Sequence, residues 1–450
     1  MSVASRSPAA LIVGGGPAGA AAAIALARAG RPVHLIEASS YETPRVGEHL
    51  PPVVESVLAE LGAPEVLRAS GAIRCPGVRS LWGDAEHQRD YLFNPTGGGW
   101  NVDRARFDGL LVERAQSAGA MVSLASKFRS ITRQGTGWRV SITGPGGARE
   151  ISAEVVIDAT GRTGSVTHRL GARGVAFDQL VGAVAWMDGG ADPDQTLLVE
   201  SCENGWWYSL ALPNNRLVGA FMTDADTLRG TSWRSARGWR SFLVGAPATR
   251  ARLLERRIRT GPVVRRAHSA VLDRVAGPGW IAVGDAASSV DPLSSDGVAR
   301  AITSGVVAAT AVMRSLDGEA MALEEHSRSV AAGVGRYLAQ RASVYRDEPR
   351  WTNSAFWRRR HFDSAALFLS PHDMLTLAVP AEMAGLAGPM PGLSGAELGH
   401  LIAQCAEPRS AADIVRQFRS SAPHVSDEAV IFALQDLLAR GVMRQRFDPL

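Results

Sequence analysis

The sequence predicts an α/β fold, a Rossmann-type nucleotide-binding domain that carries an inserted, mostly antiparallel β-sheet domain. Three observations predict it: a βαβ pattern at the start, two later apolar strands that end in Gly-containing turns, and a β-rich stretch between those strands. A helical segment and a small winged-helix-like domain are expected to follow. The predicted boundaries are 1–75, 100–175 and 265–345 for the nucleotide-binding domain, 76–99 and 176–264 for the sheet domain, 346–385 for the helical segment and 390–450 for the small domain.

Composition indicates a globular protein that stays out of the membrane. Of the 450 residues, 46% are hydrophobic and 20% are charged, which supports a sizeable core. No charge-free apolar run reaches the roughly 18 residues of a membrane span, and the polar N-terminal stretch is too short for a signal peptide, so we expect a cytoplasmic protein. The cysteines, Cys75, Cys202 and Cys405, lie far apart without CxxC spacing, so neither a disulfide framework nor a metal site is expected.

The chain opens with a strand, a helix and a strand, predicted at 10–13, 17–29 and 33–36. Gly14 allows a tight turn, Gly16 lets the backbone approach a pyrophosphate, and Gly19 lets helix and strand pack closely. The N-terminus of the helix, which includes Ala18, would face the phosphates with free N–H groups. Glu37 ends the second strand, where a carboxylate can accept hydrogen bonds from a ribose diol. The pattern predicts a bound dinucleotide.

Two later strands end in glycine turns of their own. Residues 157–161 are IDATG, residues 281–287 are IAVGDAA, and residues 291–297 are DPLSSDG. Together with the first glycine motif, this order resembles the flavin monooxygenases of the para-hydroxybenzoate hydroxylase fold, over about residues 9–345. The resemblance implies that FAD is the cofactor, that Asp285 binds its ribityl chain, and that the 292–297 loop places backbone amides against the isoalloxazine at a helix N-terminus. The residues expected to hold FAD here are Asp158, Gly161, Gly284, Asp285, Pro292 and Gly297.

The same resemblance implies how the flavin is used. Such hydroxylases take electrons from NAD(P)H or from a separate reductase, and their reduced flavin reacts with O₂ to give a hydroperoxide that attacks an electron-rich ring. The chain has no second GxGxxG motif, which fits transient use of NAD(P)H.

A further segment narrows the choice of flavoenzyme. Residues 46–52, VGEHLPP, resemble a segment of the branch that contains flavin-dependent halogenases and geranylgeranyl reductases. By that resemblance Arg45, Gly47 and Arg106 contact FAD, because the planar guanidinium suits phosphate. For Arg104 a surface ion pair is an equal alternative.

Halogenation is disfavoured by the cations of the chain. Halogenases use a lysine amine near the substrate, and a guanidinium is a poor nucleophile because it stays protonated. Arg74 and Arg79 follow the 46–52 segment, whereas the only lysine, Lys127, is predicted at the surface. The halogenase WxWxIP segment is also altered here, to GWWYSLALP at 205–213.

Several side chains are candidates for the substrate chemistry. Trp206, Trp207 and Tyr208 could form the wall of an aromatic pocket, the alternative being that they form sheet core. His49 could act as general base near neutral pH, or be a hydrogen-bonded structural histidine. Asp296 is a second candidate base, with a helix N-cap as its alternative role.

The end of the chain predicts a small peptide-binding domain. A stretch rich in Gly and Pro at 384–395 is interpreted as a linker, with three short helices beyond it. The last helix, 427–440, has Arg440 as its single cation, which argues against a nucleic-acid partner. Residues 410–442 resemble the peptide-binding winged-helix modules of peptide-modifying enzymes, in which a groove pairs with an extended peptide.

The whole chain resembles the flavoprotein monooxygenases that build tryptophylquinone cofactors for quinohemoprotein amine dehydrogenase and for lysine or glycine oxidases. This resemblance implies hydroxylation, in two rounds, of a tryptophan side chain within a peptide or protein partner. Three alternatives remain open: a monooxygenase or halogenase of a small aromatic molecule, a non-oxygenating flavin reductase, and a recognition module that keeps FAD for structure only. The sequence does not indicate an oligomeric state.

Overall fold

The computed structural model describes residues 8–91, 94, 97–190, 194–361, 374–379, 390, 392–439 and 442–446. Most of the predicted 384–395 linker lies outside these residues. The chain divides into two compact units, residues 1–327 and 328–450, and each is described by itself.

The strands of the first unit form parallel and antiparallel sheets. In chain order the strands are β1 (Ala10–Val13), β2 (Val33–Ile36), β3 (His49–Leu50), β4 (Ile73–Cys75), β5 (Gly77–Trp82), β6 (Ala85–Asp90), β7 (Gly99–Asn101), β8 (Met121–Ser123), β9 (Lys127–Gln134), β10 (Gly137–Gly144), β11 (Gly147–Ala153), β12 (Val155–Asp158), β13 (Gly174–Ala176), β14 (Leu180–Asp188), β15 (Leu197–Cys202), β16 (Gly205–Leu212), β17 (Arg216–Asp224), β18 (Ile258–Arg266), β19 (Ala270–Leu272), β20 (Ala276–Gly277), β21 (Trp280–Ala282) and β22 (Ser288–Ser289).

The helices cover the parallel sheet and one face of the large antiparallel sheet. In chain order the helices are α1 (Pro17–Arg28), α2 (Val54–Leu61), α3 (Val66–Ala69), α4 (Arg104–Ser117), α5 (Ser165–Arg169), α6 (Ala236–Ser241), α7 (Pro247–Leu253), α8 (Gly297–Leu316) and α9 (Ala322–Arg346), the last of which continues into the second unit. No helix in the described part of the chain is both long enough and apolar enough to cross a membrane.

The nucleotide-binding sheet has the strand order β20-β21-β12-β1-β2-β8. Strands β21, β12, β1, β2 and β8 run parallel, so their carboxyl ends meet at one edge of the sheet. The glycine turns at Gly14, Gly161 and Gly284 follow three of these ends. The sequence therefore predicted this part of the fold correctly, because each strand is short, rich in apolar residues and buried throughout.

Small residues set how closely the first helix packs. A Cβ at Gly19 would lie 1.9 Å from the carbonyl oxygen of Gly14, and a Cβ at Gly305 would lie 2.2 Å from the carbonyl oxygen of Ala18. A side chain at either glycine would collide with the backbone. Gly19 therefore lets α1 pack against the turn that precedes it, and Gly305 lets α8 pack against α1.

The second large sheet has the strand order β18-β14-β17-β16-β15-β5-β6. All of its pairs are antiparallel except that of β15 with β5. Successive side chains of β16 point to opposite faces, so the aromatic run is divided. Trp207 lies in a core with Phe221 and Trp239, at 5.0 Å between ring centroids in both cases. Of the two roles that the sequence left open for Trp207, the pleat of the strand gives it sheet core.

The second unit combines short helices with a small antiparallel sheet. Its elements are α10 (Ala355–Arg358), β23 (Met374–Leu377), α11 (Gly395–Gln404), β24 (Arg409–Ser410), α12 (Ala411–Ser421), α13 (Asp427–Ala439) and β25 (Met443–Arg446), and the sheet order is β24-β23-β25. The Ser410 side chain caps α12 by accepting from the Asp413 N–H. The predicted helical segment ended too late, because β23 lies inside 346–385 and pairs with strands far along the chain.

Candidate active site

A cavity of about 470 Å³ lies where the carboxyl edge of the parallel sheet meets one face of the seven-stranded sheet. Residues from both sheets line it, together with the 45–49 segment, the start of α4 and the 292–298 loop. Each predicted site residue can be placed relative to this cavity.

The glycine fingerprint forms one end of the cavity. Gly14, Gly16 and Ala18 line it, and Gly14 has a φ of +111°, which requires glycine. A Cβ added at Gly16 would meet no atom within 4 Å, so this face of the turn opens onto free space. The first-turn N–H groups of α1 have no partner within the helix, and they lie beside that space. A turn of this shape fits a pyrophosphate, as predicted for these glycines.

Glu37 lies at the same end of the cavity. Its carboxylate accepts hydrogen bonds from the Gly15 N–H at 2.7 Å and the Ser39 hydroxyl at 2.6 Å, and Arg45 lies 3.2 Å away. These neighbours orient the acid at the end of β2, where a ribose diol of the cofactor would be bound.

The second and third glycine turns meet at Arg162. Its guanidinium lies 3.2 Å from the Asp285 carboxylate, and both residues line the cavity with Gly161. Gly284 is not part of the lining, but a Cβ there would approach the Ala18 Cβ to 2.8 Å. Gly284 therefore brings the end of β21 against α1.

Asp158 has a different role from the expected one. It is 1% exposed, outside the cavity lining, and accepts from the Thr160 N–H at 2.9 Å, the Val166 N–H at 3.1 Å and the Thr167 N–H at 2.8 Å. This carboxylate is saturated by the backbone at the start of α5 and is not free to bind a cofactor. The expectation that Asp158 holds FAD is corrected accordingly.

Arg104, and not Arg106, faces the cavity from α4. Arg104 lines it and donates to Asp108 at 3.0 Å, and Asp108 also accepts from Arg45 at 3.0 Å. Arg106 donates to the carbonyl oxygen of Ala69, at 2.9 Å from Nη2. The reason is helical geometry: residues two apart point to nearly opposite sides, whereas residues four apart share a face. The expectation that Arg106 contacts FAD is corrected. The four-residue spacing of Arg104 and Asp108 was the sequence signal that could have indicated Arg104 instead.

The loop before α8 contributes backbone to the cavity. Pro292, Ser295 and Gly297 line it, and Ser295 adopts a left-handed φ of +54°. Asp296 is outside the lining and accepts from the Ser294 hydroxyl at 2.6 Å. The suggestion that Asp296 is a base is corrected, because its carboxylate is held within the loop.

His49 lines the cavity but is a weak proton acceptor there. Its Nδ1 lies 3.2 Å from Asn101 Oδ1, and its Nε2 lies 3.4 Å from the Tyr91 hydroxyl. Burial lowers the pKa of His49 to about 4, so the ring is neutral at neutral pH. The structural alternative for His49 fits this environment better than a base that titrates near neutrality.

Glu48 is the site residue that sequence reasoning missed. It follows Gly47, whose φ of +91° turns the chain into the cavity, and its side chain is 1% exposed. The carboxylate accepts from the Trp186 indole N–H at 3.0 Å and from the Gly47 N–H at 2.8 Å. Burial raises the pKa of Glu48 to about 7. The Trp186 donor lies on a strand 138 residues further along the chain, so local sequence carried no signal.

The seven-stranded sheet supplies an apolar and aromatic wall. Trp206 and Tyr208 line the cavity as expected, with ring centroids 6.3 Å apart, and neighbouring strands add aliphatic side chains. The wall residues on this face are Val184, Leu197, Val199, Trp206, Tyr208, Leu210 and Met222. Such a surface suits a flat, apolar ring.

Lys127 is not among the residues that line the cavity. It begins β9, in the separate β11-β10-β9 sheet, and its side chain is exposed. Because the sequence has no other lysine, no ammonium group lines the cavity.

The cavity has a glycine-lined end that suits a dinucleotide and an apolar part that suits a flat ring. This combination defines a flavin-dependent oxidoreductase. The chain belongs to the FAD-binding domain family, whose pattern matches residues 8–326. The predictions of an FAD cofactor, of a flavin enzyme of the monooxygenase type and of its α/β fold are confirmed.

Known relatives include both oxidoreductases and halogenases. The putative FAD-dependent oxidoreductase LodB of Marinomonas mediterranea is 32% identical over 367 residues, which cover 79% of this chain and 97% of LodB. The tryptophan 2-halogenase of Chondromyces crocatus is 30% identical over 389 residues, which cover 81% of this chain and 73% of the halogenase. Other flavin-dependent halogenases are also similar.

Several solved structures resemble this chain over nearly its whole length, and the flavin-dependent halogenase CmlS covers 98% of it at a TM-score of 0.70 and 20% identity. Another is the peptidyl tryptophan dihydroxylase QhpG, which is essential for tryptophylquinone cofactor biogenesis. The TM-score is 0.63 at 22% identity, and the match covers 93% of this chain and 98% of QhpG. At this identity the likeness shows a common fold.

Proposed function

We propose that this chain is an FAD-dependent monooxygenase that hydroxylates the indole ring of a tryptophan residue within a peptide or protein, as a step in tryptophylquinone maturation. The observation that carries the proposal is a flavin cavity with an aromatic wall, Trp206 and Tyr208, and no lysine. QhpG, which shares this fold, is a peptidyl tryptophan dihydroxylase, and this supports the same substrate class.

The residues at the cofactor end have defined tasks in this proposal. Gly14 and Gly16 leave room for the pyrophosphate, Glu37 would hold the ribose diol, and Asp285 would hold the ribityl chain. FAD, when bound, supplies electrons received from NAD(P)H or from a reductase and activates O₂. The buried wall opposite excludes water and orients the ring that is to be oxidised.

The cations of the cavity argue against halogen transfer. The guanidinium groups that line it include Arg45, Arg104 and Arg162, and each is engaged by a carboxylate at 3.0–3.2 Å. A guanidinium that stays protonated has no free lone pair and cannot serve as the nucleophilic amine that carries a halogen. Hydroxylation needs no such amine, so it fits the available side chains better.

The second unit is proposed to bind the polypeptide around the target tryptophan. Its three-helix and small-sheet composition is that of a winged-helix-like module, and α13 carries acidic residues at its start, which disfavours contact with phosphate. A chain that ends at Met390 would retain FAD and lose affinity for the peptide. Equal peptide affinity in the shortened chain would remove this role.

The proposal is tested by mass spectrometry of candidate substrates. FAD-loaded enzyme, NADPH or a reductase system, O₂ and chloride or bromide are mixed with synthetic tryptophan peptides, with matched peptides in which phenylalanine replaces tryptophan, and with free tryptophan and phenols. Mass gains in steps of one oxygen, confined to the tryptophan peptides, would support the proposal. Oxygen or halogen added only to the free aromatics would overturn it.

A further inference from the structure

We propose that an arginine-rich surface of the first unit binds an acidic stretch of the polypeptide substrate and holds it beside the cavity. This surface, the arginine face, consists of the exposed arginines between Arg229 and Arg266. The inference rests on the proposed function for the use that is made of the bound polypeptide, and it adds the chemistry by which the polypeptide is recognised.

Positive charge is concentrated in this one stretch of the chain. Residues 229–266 contain eleven arginines, and Glu255 is the only acid among them. The whole chain has 48 cationic and 44 acidic side chains, so acids outnumber cations outside the stretch. Like charges at this density repel one another, and an anionic partner relieves the repulsion.

The fold gathers these arginines on one side of the seven-stranded sheet. Trp239 of α6 and Leu253 of α7 are buried in the core on the sheet face opposite the cavity. Helix α6 also contacts β18, and the Arg240 guanidinium donates to the carbonyl oxygen of Arg256 at 2.7 Å. That hydrogen bond ties α6 to the segment that follows α7. The arginines of α6, α7 and β18 therefore share one surface.

Most arginines of the stretch are not neutralised within the described part of the chain. Arg252 pairs with Asp194 and Arg259 pairs with Asp188, and no other arginine of the stretch forms an ion pair with a described carboxylate. Seven of these other arginines are exposed. Their guanidinium groups are available to carboxylates of a partner, which they can bind through two parallel hydrogen bonds.

The arginine face reaches the cavity at the edge of the sheet. Strand β18 is the first in the sheet order, and its Arg265 pairs with Gly182 of β14. Gly182, Arg265 and Arg266 all line the cavity, and both arginines are exposed. The other arginines of the cavity lining are each held by a carboxylate. A polypeptide bound to the arginine face therefore lies where the cavity lining meets solvent.

The composition of the arginine face favours a polypeptide over a nucleic acid or a membrane. Trp233 is partly exposed, with the Arg234 guanidinium 4.5 Å from its ring centroid, and Val244 is 75% exposed. Arginine and aromatic side chains are enriched at protein–protein interfaces. A nucleic-acid duplex is held mainly by its phosphates, which have no use for an exposed valine. Helices α6 and α7, of 6 and 7 residues, are too short to lie along a membrane surface.

Binding of synthetic peptides to the FAD-loaded enzyme tests the arginine face. The first probe is a fluorescein-labelled peptide whose central tryptophan is flanked by glutamates. The second has glutamines in place of the glutamates, and the third keeps the glutamates but has phenylalanine in place of the tryptophan. Fluorescence anisotropy measures each Kd at low and high salt. We expect both acidic peptides to bind at least about 10-fold more tightly than the glutamine peptide, and high salt to weaken their binding.

Two triple variants show where the acidic peptides bind. The first replaces Arg234, Arg237 and Arg250 by glutamine, and these exposed residues lie outside the cavity lining. The matched control removes the same charge from exposed arginines on other elements, Arg68, Arg89 and Arg169. We expect the first variant to bind the acidic peptides about 10-fold more weakly, and the control to bind them as wild type does. In turnover of the acidic tryptophan peptide, the first variant should raise KM by the same factor and leave kcat unchanged.

The outcomes separate the arginine face from the proposed function. Equal affinity of the two triple variants for the acidic peptides, or equal affinity of the wild type for the acidic and the glutamine peptide, would overturn the arginine face. Tighter binding of a labelled DNA duplex or of phosphatidylserine vesicles, dependent on the same three arginines, would also overturn it. Acidic peptides that bind through these arginines while no tryptophan is hydroxylated would support the docking surface and overturn the proposed function, because the binding measurement does not require turnover.

Discussion

The substitution Gly16→Ala is expected to weaken FAD binding while it leaves the fold intact. A Cβ at Gly16 would meet no protein atom within 4 Å, and the backbone there is extended, with a φ of −72° and a ψ of 179°. Any residue adopts such a backbone, so the free energy of unfolding of the FAD-free protein should be unchanged or raised by up to about 1 kcal/mol. The methyl group would occupy the space through which the turn approaches the pyrophosphate.

The expected loss of FAD affinity follows from overpacking. An added methyl group in a close contact costs about 1–3 kcal/mol. Since about 1.4 kcal/mol corresponds to a tenfold change in Kd, the affinity should fall about 10- to 100-fold. The assay is titration of the FAD-free protein with FAD, followed by flavin fluorescence, together with urea unfolding of the same sample.

Gly19→Ala is the matched control on the same helix. Its Cβ would lie 1.9 Å from the carbonyl oxygen of Gly14, which is backbone and cannot rotate away. We expect the FAD-free protein itself to lose about 1–3 kcal/mol of stability or more. Wild-type FAD affinity in Gly16→Ala, or equal stability of the two variants without FAD, would refute the assignment of this turn.

Three further predictions concern charge. Arg104→Ala removes one of the two arginine partners of the buried Asp108 and should lower the free energy of unfolding by about 3 kcal/mol. Arg106→Ala should change the free energy of unfolding by less than about 0.5 kcal/mol, and urea unfolding measures both variants. Burial raises the pKa of Glu48 from 4.5 to about 7, so the folded state holds this proton more tightly than the unfolded state does. The free energy of unfolding should therefore fall by about 3 kcal/mol as the pH rises from 4.5 to 7. A Glu48→Gln protein whose free energy of unfolding has the same dependence on pH would contradict this. Asp296→Asn should leave the pH profile of turnover unchanged, and a shifted profile would restore Asp296 as a base.

The sequence predicted the parts of the site that depend on contiguous residues. Gly14 and Gly16 act through the local backbone, and a strand, turn and helix of the correct type surround them, so their placement followed from pattern alone. The helical segment was less well predicted, because β23 is a strand only through pairing with β24 and β25, which lie far along the chain.

Other site features depend on contacts that the sequence does not display. Glu48 becomes a buried carboxylate that accepts from an indole N–H only because β14 brings Trp186 to it. The weak basicity of His49 likewise comes from burial. The choice between Arg104 and Arg106 depended on which side of α4 faces the cavity. Strict alternation of side chains along β16 would have excluded Trp207 from the cavity wall.

The close contact at Gly305 has a consequence for the whole cofactor site. Helices α1 and α8 both begin at the cavity, one at the dinucleotide turn and the other behind the 292–297 loop, and they meet where Gly305 contacts Ala18. That contact fixes the separation between the glycine turn before α1 and the 292–297 loop before α8. Gly305 is not a lining residue and lies about one helical turn beyond Ala301, which is one. A larger side chain at Gly305 would nevertheless push α1 and α8 apart and so change the spacing of the cofactor site.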